Sequence, residues 1–70
     1  MHPEYTLTFE FTDPAKMYRM MEICHHQKLL YHHYQHSRVS DKKMLFTIEV
    51  AASFEDSYLL GQKSFHIFYL

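Results

Sequence analysis

The dipeptide Asp13-Pro14 separates two stretches whose hydrophobic periods are incompatible, and no chain with this division can be all-helical or all-strand. Before it, Tyr5 to Thr12 alternates without a break: Tyr5, Leu7, Phe9 and Phe11 are apolar and Thr6, Thr8, Glu10 and Thr12 polar. That period of two reads as a half-buried β-strand. At the dipeptide itself, the Asp13 carboxylate can accept from free first-turn amides. Proline presets the helical φ and lacks only a hydrogen that would go unbonded there.

The stretch after it, Asp13 to Ser37, is expected to form one long helix beginning at about residue 14 and reaching about residue 36. At about 100° per residue, Met17, Met20, Met21, Ile23, Cys24, Leu30, Tyr31 and Tyr34 fall on one half of the wheel, which should face a core. Gln27 projects into that arc. The opposite half carries His25, His26, His32, His33 and His36, five of the seven histidines. Full protonation of all seven would move the formal net charge from -1 to strongly positive, so acid should alter any charge-dependent association.

Beyond the helix, Ser37 to Lys43 is a polar connection, and Met44 to Ala52 resumes alternation with Met44, Phe46, Ile48, Val50 and Ala52 inward. A strand-helix-strand order favours a crossover joining two parallel strands, adjacent or with a third between them. Ser53 with Asp56 resembles a capping box, and Gly61 can end two turns of helix; a hairpin over the same residues is the rival reading. Ser64 to Leu70 is expected as a last strand, buried on both sides. The fold class is therefore α+β: a two-layer β-α-β-β domain with one long helix on a small mixed three-stranded sheet and a short helical turn between the second and third strands.

Seventy residues with 47% apolar content make a single domain, 1–70, close to the size at which one core only just suffices. The lone Cys24 cannot form an internal disulfide, no eighteen-residue apolar run is present, and a cytoplasmic, non-membrane setting is expected. With one glycine in the chain there is no glycine-rich phosphate loop, which argues against nucleotide chemistry. Cys24 and His25 are consecutive and point about 100° apart on a helix, so they do not read as a nucleophile and its base. Glu10 and Glu49 stand among threonines on an outward sheet face. No catalytic residue and no cofactor are assigned, and the chain is not expected to be an enzyme.

Three functions remain. The leading one is a non-enzymatic protein-interaction module, a regulator or inhibitor acting on a larger protein partner or as a homodimer. Its reason is the twelve Tyr and Phe residues, more than one helix and three strands can bury. Leu30, Tyr31, Tyr34, Phe68 and Leu70 are the expected interface. The second is a transition-metal binder, with His32 and His36 gripping Zn or Ni weakly across one helical turn. The third is a nucleic-acid binder using a basic patch of Lys28, Arg38, Lys42 and Lys43. The motifs carry no family resemblance.

Overall fold

The computed structural model describes residues 4–69. Five elements follow one another: β1 (Glu4–Phe11), α1 (Pro14–His26), β2 (Leu30–Ser37), β3 (Met44–Ser53) and α2 (Phe54–Tyr69). The strands form one sheet in the order β1-β3-β2, with every neighbouring pair antiparallel. Both helices lie on one face of it, and the class is α+β.

The alternation of β1 places Leu7, Phe9 and Phe11 toward the helices as its period requires, with Phe11 buried and Tyr5 half-exposed at the strand's start. From β3, Ile48, Val50 and Ala52 point the same way and lose essentially all contact with solvent. α1 begins where the dipeptide says it must: Asp13 is the N-cap, and its side chain accepts from the Ala15 amide at 3.0 Å. Its inward stripe is Met17, Met20 and Cys24. Leu60, Ser64 and Ile67, one helical face of α2, complete the layer. Each fully buried Ile, Leu or Met contributes about 1.5–3 kcal/mol of burial free energy.

The long helix expected from 14 to 36 is not formed. α1 stops at His26: Gln27 is its C-cap, still right-handed, and Lys28 then adopts φ 59, the left-handed conformation. The Leu29 amide donates to the Cys24 carbonyl at 2.9 Å and the Lys28 amide to the His25 carbonyl at 3.0 Å. This is the double capping bond of a Schellman motif, normally announced by glycine and here closed by lysine. Leu29, just beyond the turn, packs against the core.

Released from the helix, Leu30–Ser37 forms β2 and pairs with β3 from Leu30↔Ala51 to Ser37↔Met44. β1 and the Met44–Ser53 strand, expected to be parallel, are antiparallel, in register from Glu4↔Ser53 to Phe11↔Phe46. The parallel partner joined to β1 through the helix is β2, with β3 inserted between them. The sheet is thus antiparallel throughout, not mixed.

The last strand is a helix as well. Ser53 caps α2, its hydroxyl accepting from the Asp56 amide at 3.2 Å, which is the serine half of the expected capping box. Gly61 does not end the helix, which continues to Tyr69 and includes Ser64 bonded back to the Leu60 carbonyl at 2.7 Å. Gln27 sits where the two helices meet, its amide nitrogen donating to the Asp56 carbonyl at 3.4 Å.

Lys28→Gly should stabilise the fold by about 0.5–1 kcal/mol in denaturant titration, since the left-handed conformation costs a side chain more than it costs glycine. Unchanged or lower stability would show that Lys28 makes a compensating contact. Cys24 is fully enclosed, and burial pushes its thiol up to about 11. Alkylation at pH 8 should therefore be slow in the folded protein and fast in denaturant.

Candidate functional site

The sheet has two faces and two free edges, and the side chains on them differ sharply. The face away from the helices carries Glu4, Thr6, Thr8 and Glu10 from β1, Leu45, Thr47 and Glu49 from β3, and His32, Tyr34 and His36 from β2, set side by side by the pairing register. The Tyr34 hydroxyl donates to Glu49 Oε1 at 2.9 Å, and His32 Nε2 lies 3.6 Å from Glu49 Oε2. The three β2 rings form a ladder, with centroids 6.3 Å apart for His32–Tyr34 and 6.0 Å for Tyr34–His36. Glu49 raises the Tyr34 phenol above its ordinary value, first through the hydrogen bond it accepts. Depressions of about 230 Å³ (Thr6, Leu30, His32, Glu49) and 520 Å³ (Glu4, Lys28, Ser53, Asp56) adjoin the Leu30 end of β2. Neither sets a nucleophile beside a base.

The expected metal grip is lost with the helix that carried it. On a strand, residues four apart are separated by about 13 Å, and the Tyr34 ring stands between His32 and His36. Two imidazoles that each need about 2 Å to a metal cannot meet at one ion across that distance. Among the described residues, no group of three or more His, Cys, Asp or Glu side chains is placed to hold a metal ion.

Nor is the basic patch one surface. Lys28 lies in the α1–β2 turn, whereas Arg38, Lys42 and Lys43 belong to the β2–β3 hairpin loop at the opposite end of β2. Arg38 is also paired with Asp41 through both nitrogen–oxygen contacts, which holds the Asp41 carboxyl below its usual range. The expected interface divides too. Leu30, Tyr31 and Tyr34 lie on β2 at one edge of the sheet, while Phe68 stacks over Phe11 and Phe9 of β1 at the other, with centroids 5.3 and 5.8 Å apart. Leu70 lies outside the described residues.

What the fold does gather is an aromatic seam along α2. Phe54, Tyr58, Gly61, Phe65 and Phe68 recur at steps of four, three, four and three, the spacing of a coiled-coil stripe. This stripe is separate from the buried Leu60, Ser64 and Ile67. The contact of Phe68 with β1 and that of Asp56 with α1 fix its direction: it runs along the flank of α2 away from α1, above the free edge of β1. Phe54, Tyr58 and Phe65 are 71%, 63% and 62% exposed, and Tyr69, stacked on Phe65 at 4.6 Å, is 72% exposed. The seam escapes sequence reading because Gly61 and the alternation of Phe65, Ile67 and Tyr69 imitate a stop and a strand. Once 54–69 is known to be helical, the four-three spacing is plain.

No protein-family model, no curated protein and no solved structure matches this chain. Among the described residues, no helix is long and apolar enough to cross a membrane.

The Tyr34–Glu49 contact gives a pH test. A phenol whose value is raised in the folded state contributes stability that is fully present below its unfolded value and is lost as pH rises through the folded one, so the loss should begin above about pH 10. Glu49→Gln should bring the Tyr34 titration, followed by ultraviolet absorbance, down toward the ordinary range. An unmoved titration would show that the contact does not persist in solution.

Proposed function

We propose that the chain is a non-enzymatic protein-interaction module whose docking surface is the outer flank of α2 together with the edge of β1. The observation that carries this reading is the exposed aromatic seam, Phe54, Tyr58, Phe65 and Phe68, extended by Tyr69. Scattered surface apolar residues need no explanation, but several large rings on one flank of one helix, two on either side of Gly61, expose area that water does not favour. Aromatic side chains are also the commonest anchors of protein interfaces, since each can bury about 150–250 Å².

The strand beside the seam supports the same conclusion. β1 pairs with β3 on one side only, and its outer row of main-chain amides and carbonyls is free to bond another chain. No proline interrupts it, and its helix-facing residues are apolar. β2, the opposite edge, is exposed on both faces apart from Tyr31 and offers no comparable apolar row. Regulation or inhibition of a bound protein is the role such a surface suits, as the seam carries rings and hydrogen-bonding edges but no reactive group.

A photoreactive phenylalanine analogue at position 65 tests this in lysate of the native host. Protein adducts should form there, and none should form from the same analogue at Val39, a hairpin residue that is 95% exposed. Equal labelling at both positions, or none at position 65, would contradict the reading.

A further inference from the structure

The chain's single glycine stands in the interior of a helix, with no intramolecular reason to be there. Gly61 does not have positive φ, and a Cβ built on it would meet nothing within 4 Å. Alanine would be preferred there by about 1 kcal/mol of helix propensity. Yet Gly61 is the midpoint of the aromatic seam, with two rings of the stripe on either side. A gap in the middle of an exposed four-three stripe is what a second helix needs in order to cross closely, with its own rings to either side.

Resting on the docking surface proposed above, we infer that its occupant is a second copy of this chain, related by a two-fold axis that passes through Thr8 of β1 and Gly61 of α2. The two features fall at matching heights. From the level at which Ser53 pairs with Glu4, Gly61 is about 12 Å along α2 and Thr8 about 13 Å along β1. One operation therefore pairs β1 with β1 and α2 with α2, and the sheet continues through six strands.

Charge selects the register. An antiparallel β1 pair centred on Leu7 would set Glu4 against Glu10 twice, and like charges directly opposite are destabilising. Centring on Thr8 instead places Thr6 against Glu10, Tyr5 against Phe11 and Leu7 against Phe9, so that acids meet hydroxyls and the helix-side row stays apolar. Above the sheet, the same axis brings Phe54 and Tyr58 of one α2 against Phe68 and Phe65 of the other, with the glycines at the crossing. α2 packs on both β1 and β3, so its axis lies inboard of β1. The paired helices can then stand about 8 Å apart, wider than the strand spacing of about 4.8 Å. Covering the rings removes on the order of 100 Å² for each. With the strand edge added, this approaches the roughly 800 Å² per partner of a stable interface.

Sedimentation of the purified chain across micromolar concentrations should give twice the 8.6 kDa chain mass. Gly61→Arg should shift it to the single-chain mass while circular dichroism stays that of the folded protein, because the substituted position opens onto free space. Under mild oxidation Thr8→Cys should form a disulfide-linked pair, its Cβ atoms about 5 Å apart across the axis. Glu10→Cys, separated from its counterpart by about 13 Å, should not. A single-chain mass at every concentration would overturn the second copy, and if position 65 still labelled other proteins the docking surface itself would stand. A dimer indifferent to Gly61→Arg, or one in which Glu10→Cys links as readily as Thr8→Cys, would overturn the axis.

Discussion

β3 is the strand on which the rest of the structure depends, because among the described residues it alone is hydrogen-bonded along both sides. Its Ile48 and Val50 are fully enclosed beneath both helices, and Thr47 on the other face is enclosed by the flanking strands. Every other element borrows position from it: β1 and β2 take their register from the two ladders, and α2 leaves directly from its end at Ser53. Losing the Ile48 side chain to alanine would cost about 2–5 kcal/mol, a large share of what a domain of this size can hold.

The parts legible in the sequence are those in which one face is buried and the other wet. β1 and β3 fit that description, so their alternation survives in the residue order, and Asp13-Pro14 marks the start of α1 by local chemistry alone. β2 is illegible for the opposite reason. Almost every side chain in His32–Ser37 is exposed, no face is selected, and the remaining apolar residues coincide with a helical stripe continued from α1. The stop between them depends on Lys28 in a left-handed conformation, which glycine would have signalled and lysine does not. α2 was half legible: its Ser53 cap could be read, but Gly61 suggested termination, and Phe65, Ile67 and Tyr69 imitated a strand.

The imitated strand and the exposed seam have one cause. A helix with a single apolar stripe looks helical in sequence, whereas α2 carries two, one buried and one the exposed ring seam, and together they hide the period. The five histidines between 25 and 36 are dispersed by the fold along the exposed edge strand and the end of α1, and His66 stands on α2. Their ladder with Tyr34 and Glu49 orders the open face without assembling a metal centre among the described residues. Of the eight exposed Tyr and Phe side chains among the described residues, by contrast, five lie on α2, beside the edge strand with the apolar row.

Hydrogen exchange of the backbone amides tests most directly whether the β1 edge and α2 flank are covered in solution. The β1 amides pointing away from β3 should become protected as protein concentration rises, while the corresponding outer amides of β2 exchange quickly throughout. Equal and concentration-independent exchange at the two edges would contradict it.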